Sequence, residues 1–529
     1  MRAPHTPENS SALKGHDFIR AANASESTRA LAPEGILRNK LFIFAAALLI
    51  LIPLSGCKPV GPNYSRPTYT APPTYKETGA SSVQVPLTPP PNPNGGGWQP
   101  ATPSDGMLKG KWWEVYQDPQ LNQLEERIAG YNQGLRQALN TYLAAQDQAK
   151  AARSALYPTL SAGPSVTHDK ESQHRPLVTP STATNYNDLI LAGDGSWEPD
   201  FWGRIRRTVE AAHENAQASA ADMANVDLSF QATMAADYFQ LRGVDAQIKL
   251  TRATIADLES QLDLTERRLK GGVATEADVA QAQTLLETTR AQLVDLGVAR
   301  AQFEHAVGTI ADYKLPSFSI PYSPLDLQLP KIPLGIPSQL LERRPDIAAA
   351  ERRTAAANAQ IGIAVSAFYP TITLTGQGGF ESTHGGNWIQ GPSALWSLGA
   401  QATELLFDAG QRRALTEQAK HLYEAQVSGY KGVIFLAFED VEDQLSGLRI
   451  LEEETVAEQK AVDSAQHSYD ISDQRYKGGV TSYLEVLTAE ATLIQDQRTA
   501  VDLQTRQFVD SVGLIRSLGG GWDASQLPK

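Results

Sequence analysis

The sequence contains a single cysteine, Cys57, so no disulfide can form within the chain. Its nine histidines are scattered and do not combine with that thiol at metal-ligand spacing. A phosphate-binding Walker loop and a zinc-protease HExxH motif are both absent. We therefore expect that the protein is not an enzyme and that it uses no metal and no dissociable cofactor.

The sequence has no excess of positive charge and few long apolar runs. The net charge is −13, and the acidic excess is spread along the chain, which argues against binding to nucleic acid. A polytopic helical membrane protein should contain several apolar runs of about 20 residues. Only one apolar run is present, at residues 41–54. The sequence thus argues against both classes.

The apolar run at residues 41–54 has the features of a secretion signal. Arg38 and Lys40 precede it, and small residues lead from its end into Cys57. The run is too short to cross a bilayer core of about 30 Å as a helix, but it suits the apolar part of a signal peptide. The alternative is a buried structural cysteine beside a short anchor helix.

The residues around Cys57 resemble the bacterial lipoprotein signal, in which cleavage leaves the cysteine first and acylated. Lys58 follows, rather than the aspartate that tends to retain such lipoproteins at the inner membrane. We therefore expect a covalent lipid on Cys57, no other cofactor, and an outer-membrane location.

Proline divides the rest of the chain. Thirteen prolines lie between Pro53 and Pro103, a composition that favours extended backbone and cannot pack a core. We interpret this stretch as a tether running along a surface. The predicted organisation is an N-terminal extension with a signal peptide (1–56), a lipid-anchored tether (57–110), and two repeats (111–330 and 331–529).

Two pairs of matching segments reveal the repeats. Residues 155–160 recur at 367–372, an offset of 212, and residues 268–273 recur at 475–480, an offset of 207. Self-similarity of this kind indicates duplicated structural units. The difference between the two offsets fits a surface loop of different length in each half.

Long helices are predicted in both halves. Gly203 and Gly271 are 68 residues apart, as are Gly410 and Gly478, and neither interval contains proline. Apolar residues recur every seventh position, which is typical of coiled-coil packing. They are Met234, Leu241, Ile248, Ile255, Leu262 and Leu269, then Val441, Leu448, Val462, Tyr469 and Tyr476, with Thr455 as a polar exception. Each interval makes a rod of roughly 100 Å at 1.5 Å per residue.

Two strands are predicted before each rod, because apolar and small polar residues alternate there. The segments begin near Leu160, Leu189, Ile372 and Trp396. Such alternation is found in outer-membrane barrel strands and, more often, in antiparallel sheets on soluble cores. The secretion signal favours the barrel. Four strands cannot close an aqueous pore, which needs about twelve, so three chains would be required.

Several short motifs follow Cys57 in a fixed order. They are residues 61–64 with Pro67, Trp112 with Trp113, Asp118 with Pro119 and Leu121, residues 201–204, both Lys-Gly-Gly turns, residues 343–347 with Ala350 and Glu351, and residues 518–522. Together with the duplication and the lipoprotein signal, they resemble the outer-membrane factor (TolC-like) family, the outer-membrane lipoproteins of tripartite efflux systems with RND-type pumps.

The resemblance implies an α+β membrane protein that forms a homotrimer. Each chain would contribute four β-strands to a 12-stranded outer-membrane barrel, continued by a coiled-coil α-helical tunnel through the periplasm. The implied partners are outer-membrane lipid, a periplasmic adaptor and an inner-membrane RND-type pump. The implied function is a passive exit duct for small molecules. A duct for type I protein secretion, or a periplasmic coiled-coil scaffold without a pore, are the alternatives.

The Lys-Gly-Gly turns are candidate docking sites. Glycine at the end of a helix permits the left-handed backbone that terminates it, which is a purely structural role. In the family these tips also meet the adaptor, and small residues permit close approach of another backbone. The residues concerned are Lys270, Gly271 and Gly272 in the first half, and Lys477, Gly478 and Gly479 in the second.

A periplasmic gate is the second site that the resemblance implies. Leu484 matches an apolar plug position and Glu485 an acidic ring position, whereas Thr488 stands where relatives often have aspartate. Asp278 is the equivalent of Glu485 in the first half. Three symmetric carboxylates would concentrate cations and repel one another. The alternative is that these are solvated helix residues.

Overall fold

The computed structural model describes residues 58–78, 110–172, 174, 184–334, 337 and 340–528. The predicted signal peptide, Cys57 and most of the proline-rich tether lie outside these residues. Within the described part of the chain, no helix combines the length and apolar character needed to cross a membrane.

The first repeat follows a short 3₁₀ turn, Trp112–Tyr116. Asp118 caps the first helix by accepting hydrogen bonds from the amides of Gln120 (2.8 Å) and Leu121 (3.2 Å). Asn132 ends that helix and caps the next through the amide of Leu135. The elements are α1 (Pro119–Tyr131), α2 (Gln133–Ser154), β1 (Thr159–Lys170), β2 (Asn185–Trp197), α3 (Arg204–Lys270) and α4 (Glu276–Ile310).

The second repeat has the same order except at its start, where a single helical turn, Leu340–Arg343, stands in place of α1. Its rods match those of the first repeat, because α3 and its counterpart both have 67 residues, and α4 and its counterpart both have 35. The predicted rods are therefore present. The elements are α5 (Pro345–Ser366), β3 (Thr371–Ser382), β4 (Ala394–Thr403), α6 (Gln411–Lys477) and α7 (Tyr483–Ser517).

The four predicted strands form one antiparallel sheet in the order β1-β2-β3-β4. One row of the register runs from Thr159 to Ser196 and on to Thr375 and Gly399. Because side chains alternate between the faces, this row lies on the same face as the row Ser161, Asp194, Gln377 and Ser397, and both rows are polar or glycine throughout. The described protomer leaves the outer edges of β1 and β4 without a partner strand.

The two faces of the sheet differ sharply. One face forms a polar hollow lined by Thr159, Ser161, Asp194, Ser196, Thr375, Gln377 and Ser397. The other face exposes large apolar side chains, which are Leu160, Val166, Leu374, Trp396 and Leu398. A large apolar face is unfavourable in contact with water. One side of the sheet is therefore suited to an aqueous lumen and the other to lipid.

The main core joins the two repeats. The ring of Phe239 on α3 lies 4.7 Å from that of Tyr116 and 5.0 Å from that of Phe508 on α7. The hydroxyl groups of Tyr116 and Ser511 are 2.7 Å apart, within the same buried cluster. The repeats are therefore interlocked and do not pack as separate domains.

Toward the tip, the buried stripe of α3 departs from the predicted heptad line. Leu241 is fully buried as predicted, whereas Leu269 is exposed on the protomer, and Thr251, Leu258 and Thr265 are buried instead. A straight helix drifts by about 20° per heptad relative to a 3.5-residue repeat, so a seam followed over a long rod moves to neighbouring positions. The predicted seam is thus right near the core and wrong for Leu269.

Residues 58–78 form an extended strap across the second repeat. Val60 donates its amide to the carbonyl of Trp202 (2.9 Å), just beyond the end of β2. Further along, the hydroxyl of Tyr64 donates to the carboxylate of Glu351 (2.6 Å). The strap therefore starts at the junction between sheet and rods and runs away from the sheet.

Candidate functional site: the periplasmic tips and the membrane end

Both Lys-Gly-Gly turns adopt the same helix-ending geometry. The amide of Val273 donates to the carbonyl of Arg268 (2.8 Å), and the amide of Gly272 donates to that of Leu269 (2.9 Å), which together form a Schellman motif. Gly272 has φ +74° and Gly479 has φ +73°. The predicted left-handed backbone is therefore confirmed for the second glycine of each pair.

The first glycine of each pair is different. Gly271 has φ −81° and Gly478 has φ −75°, which are ordinary right-handed values that any residue adopts. Helix termination consequently does not require glycine at these two positions. All six predicted tip residues are exposed on the protomer.

The two tips are neighbours. The guanidinium of Arg268 donates to the carbonyl of Lys477 (3.2 Å) and lies 4.4 Å from the centre of the Tyr476 ring. The ammonium of Lys477 pairs with Asp473 on its own helix (2.7 Å). The fold thus brings the two predicted docking turns into one surface.

Two exposed valines extend that surface. Val273 and Val480 directly follow the glycine pairs and are 66% and 71% exposed. The residue in this position of a Schellman motif commonly folds back onto the helix, so exposed apolar side chains here are unusual. Their position was visible in the sequence, but their exposure was not.

Three predicted gate residues share one face at the start of α7. Leu484 is 55% exposed, and Glu485 and Thr488 are exposed beside it. Their spacing places them together because residues four apart lie on the same side of a helix. The hydroxyl of Thr488 donates back to the carbonyl of Leu484 (2.8 Å). We call Leu484, Glu485 and Thr488 the gate face.

The fourth predicted gate residue, Asp278, caps a different helix. It lies on α4, where its carboxylate accepts from the amide (2.8 Å) and the hydroxyl (2.9 Å) of Thr275. The amide of Asp278 in turn donates to the Thr275 hydroxyl, which completes a capping box. Ser482, the corresponding cap of α7, makes no such side-chain bond, so Glu485 is free of this structural role.

A buried polar cluster lies behind the gate face. Glu490 on α7 is 4% exposed and accepts a hydrogen bond from the side-chain amide of Gln261 on α3 (2.8 Å). Burial is the main reason that the pKa of Glu490 is raised to about 7, and the negative charges of Asp257 and Asp473 add to the effect. The sequence analysis missed this residue. Its signal is a carboxylate within the apolar stripe, four residues after Val486.

Aromatic residues mark the opposite end, where the sheet meets the rods. The indole of Trp202 donates to the carbonyl of Pro370 (2.8 Å) and stacks on Tyr369 at 4.9 Å. The indole of Trp197 donates to the carbonyl of Leu156 (3.0 Å). Amphipathic rings with one satisfied polar atom are suited to a membrane interface.

Metal ions in proteins are held by particular groupings of side chains. In the described part of the chain, no group of three or more histidine, cysteine, aspartate or glutamate side chains is placed to hold an ion.

The duplicated architecture matches a known family model. The model described as "Outer membrane efflux protein" aligns with residues 126–310 and again with 336–520. These two segments cover most of the chain and contain the rods and the strands of each half. The chain belongs to the outer membrane efflux protein family.

Individual relatives agree. The chain is 31% identical to the toluene efflux pump outer membrane protein TtgF of Pseudomonas putida, over 90% of this chain and 96% of that protein. It is also 31% identical to the pyoverdine export outer membrane protein OpmQ of Pseudomonas aeruginosa, over 80% of this chain and 90% of that protein. The solved outer-membrane channel OprN superposes with a TM-score of 0.78 at 29% identity, over 88% of this chain and 99% of that structure.

Family membership confirms the predicted outer-membrane location and the predicted role in efflux. In outer membrane efflux proteins the mostly helical body with a small antiparallel sheet is the channel architecture, as the likeness to OprN shows. The chain therefore has the fold of these channels.

Proposed function

We propose that three copies of this chain form the exit duct of a tripartite efflux pump and conduct small molecules passively out of the periplasm. The sheet carries this proposal. It has one polar and one apolar face and two open edges, so β4 of one protomer is free to pair with β1 of the next. Three four-stranded sheets joined in this way make a 12-stranded barrel, wide enough for water.

Conduction through planar bilayers tests the proposal directly. We expect the purified trimer to insert and to give stable ion conductance. A correctly assembled trimer that inserts but gives no channels would refute a duct.

A matched pair of variants on β4 tests the assignment of the two faces. Leu398, 80% exposed on the apolar face, and its neighbour Ser397, on the polar face, differ by one position. Leu398→Lys should impair insertion, because a lysine facing lipid costs about 2–4 kcal/mol near the bilayer midplane. Ser397→Lys should insert normally and shift the ion selectivity toward anions. The reverse pattern would exchange the faces.

A lipid on Cys57 is a separate part of the proposal. Val60, three residues later, is tied to Trp202 at the aromatic junction between sheet and rods, which is the level expected for the inner leaflet of the outer membrane. An acyl chain at Cys57 would thus reach lipid without unwinding the strap. Cys57→Ser should abolish incorporation of labelled palmitate, and unchanged labelling would refute the assignment.

The proposed partners bind at the tips, at the opposite end of the rods from the sheet. We propose that the tip surface, with its four glycines and two exposed valines, docks with the helical hairpin of a periplasmic adaptor, and that the adaptor links the duct to an inner-membrane RND-type pump. Small residues allow close backbone approach, and exposed valines supply apolar area to bury. Crosslinking from position 273 or 480 to the adaptor in membranes tests this contact. Crosslinks only from positions on the rods would contradict it.

The gate face completes the proposed duct. Leu484, Glu485 and Thr488 lie on the exposed side of α7, whereas Tyr483, Val486 and Glu490 lie on its buried side. In the proposed trimer we place the gate face toward the axis, where three leucines would narrow the opening and three glutamates would attract cations.

A further inference from the structure

One contact joins α3 to the buried side of α7, the helix that carries the gate face. The side-chain nitrogen of Gln261, on α3, donates to Oε1 of Glu490, on α7 (2.8 Å), and also to the hydroxyl of Tyr469 on α6. Glu490 lies within two turns of Leu484, Glu485 and Thr488. The contact therefore connects three helices at the level of the gate face.

Two acceptor atoms of this contact have no partner. Oε1 of Gln261 and Oε2 of Glu490 are both buried, and neither accepts a hydrogen bond. A buried acceptor without a partner costs roughly 1–3 kcal/mol. An ionised carboxylate has no hydrogen to offer the amide oxygen, so the pair itself cannot give both atoms a partner without a proton.

A single proton on Glu490 would supply the missing donor. A protonated Oε2 could donate to Oε1 of Gln261 while Oε1 of Glu490 still accepts from the amide nitrogen (2.8 Å), which would make a two-bond acid–amide pair. Exchanging the oxygen and nitrogen of the amide leads to the same requirement. The amide oxygen would then lie 2.8 Å from Oε1 of Glu490, and only a proton between two such oxygens makes that contact favourable.

The charges around Glu490 also oppose its ionisation. The acidic neighbours are Asp257 on α3 and Asp473 on α6, and Asp473 is itself paired with Lys477. Tyr469 and Tyr483 contribute phenol groups whose pKa values are raised, mainly by burial, and Asp278 approaches Tyr483 from α4. Burial raises the pKa of Glu490 to about 7, the hydrogen bond from Gln261 partly offsets that rise, and the charges of Asp257 and Asp473 add to it.

We propose that Gln261 and Glu490 form a proton-dependent latch that positions α7, and with it the gate face, in the closed arrangement. The proton is the ligand of this latch. The inference rests on the proposed function, since the gate face is meaningful only in a duct. It adds a positioning pair that lies outside the predicted gate and a condition, pH, under which the tip opens.

The sign of the effect follows from the pKa shift. The ordinary pKa of a glutamate is near 4.5, and in the closed state that of Glu490 is about 7, so opening the latch to water releases a proton. The latch stabilises the closed tip fully below about pH 4.5, loses that contribution as the pH rises to about 7, and contributes nothing further above it. Alkaline conditions therefore favour opening.

Resting conductance of the reconstituted trimer tests the latch. The wild-type tip should open at least about tenfold more often at pH 7 than at pH 5, with little further change at pH 8. Glu490→Gln should stay closed across this range, because two amides form the same two-bond pair without a titrating proton. Equal pH dependence in wild type and Glu490→Gln would overturn the proposal.

Two further variants guard against ambiguous outcomes. Asp502→Asn removes a carboxylate from an exposed position of the same helix outside the gate face and should retain the pH dependence. Gln261→Met removes both hydrogen-bonding partners at similar volume, and should open the tip more readily at pH 5 than wild type does. If Gln261→Met behaves as wild type at pH 5, the pair does not hold the gate.

Hydrogen exchange separates failure of the latch from failure of the duct. Backbone amides of residues 483–493, corrected for intrinsic rates, should exchange faster at pH 7.5 than at pH 5.5 in wild type but not in Glu490→Gln. If no conductance appears at any pH while this difference persists, the proposed duct fails and the latch stands. If the difference is absent, the latch fails whatever the conductance.

Discussion

Arg268, in the last turn of α3, donates a hydrogen bond to the backbone carbonyl of Lys477, the last residue of α6, and so ties one helix tip to the other. The same guanidinium lies over the ring of Tyr476. A backbone carbonyl as acceptor means that the contact depends on the position of the α6 terminus and is independent of the side chain at position 477.

Replacing Arg268 should loosen this tie. Arg268→Met keeps an unbranched apolar side chain but removes the guanidinium, and with it the donor, the charge and the cation–π contact with Tyr476, a loss of about 1–2 kcal/mol. We expect resting conductance to rise several-fold, with little change in the thermal unfolding of the trimer, because only the tip is affected. Arg267→Met is the matched control, since Arg267 is exposed and pairs with Asp263 on its own helix. Equal effects of the two variants would contradict a specific role for Arg268.

The paired glycines at each tip make separable predictions for folding and for docking. An added methyl group meets no atom within 4 Å at Gly272, but the φ of +74° strains any other residue, at a cost of about 1–2 kcal/mol. At Gly271 the backbone is ordinary and the nearest atoms lie at normal contact distances. Gly272→Ala should therefore lower protection of the tip from hydrogen exchange, whereas Gly271→Ala should not.

Gly271 is not needed to end the helix, but we expect it to matter for adaptor binding. If docking needs close backbone approach, Gly271→Ala should weaken binding to the purified adaptor, measured by calorimetry, although the tip remains folded. Unchanged affinity for Gly271→Ala and Gly478→Ala together would show that the first glycine serves neither helix termination nor docking.

The features that the sequence predicted well are those set by local pattern. Alternation around Leu160 and Trp396 located strands, and the absence of proline between Gly203 and Gly271 located a rod, because strand and helix periods are read directly from neighbouring residues. The family resemblance selects Leu484, Glu485 and Thr488 as gate residues, and that assignment stays a prediction. Leu484, Glu485 and Thr488 share a face because four residues make about one helical turn.

Contacts between distant segments were not predictable. Gln261 and Glu490 are 229 positions apart, and nothing in either local sequence selects the other as a partner. The burial of Thr265 in place of Leu269 depends on the accumulated twist of a long rod, which a heptad pattern alone does not give. Asp278 shows that repeat symmetry can also mislead. The symmetry equates Asp278 with Glu485, but Asp278 forms a capping box with Thr275.

The gate face yields a direct conductance prediction. Leu484→Ala combined with Glu485→Ala should raise resting conductance, because the double variant removes both the apolar side chain that narrows the opening and the carboxylate that attracts cations. Selectivity for cations over anions, read from the reversal potential in a salt gradient, should fall as well. Gln495→Ala, further along the exposed side of α7, serves as the control. Unaltered conductance in the double variant would remove these residues from the gate.

The last prediction concerns stability and rests on a buried charge in the body of the protein. Asp245 is fully buried, and its carboxylate accepts from Arg300 (2.7 Å), from Arg242 (3.3 Å) and from the amide of Ser323 (3.0 Å). This network fastens the loop between the repeats to α3. Asp245→Ala would leave the buried Arg242 without its ion-pair partner and Arg300 with Glu304 (3.5 Å) alone, and removing one partner of a buried pair costs about 3–5 kcal/mol.

We therefore expect Asp245→Ala to lower the denaturation midpoint markedly and to reduce the yield of trimer. Asp222→Ala is the matched control, because Asp222 pairs with Arg353 at the surface, where such pairs contribute about 0–1 kcal/mol. Asp245→Asn separates charge from hydrogen bonding, since the amide still accepts from Ser323 but no longer neutralises Arg300. An Asn variant as stable as wild type would mean that hydrogen bonding to the loop matters and the charge does not. Equal midpoints for Asp245→Ala and Asp222→Ala would show that the Asp245 carboxylate is not needed to hold the loop.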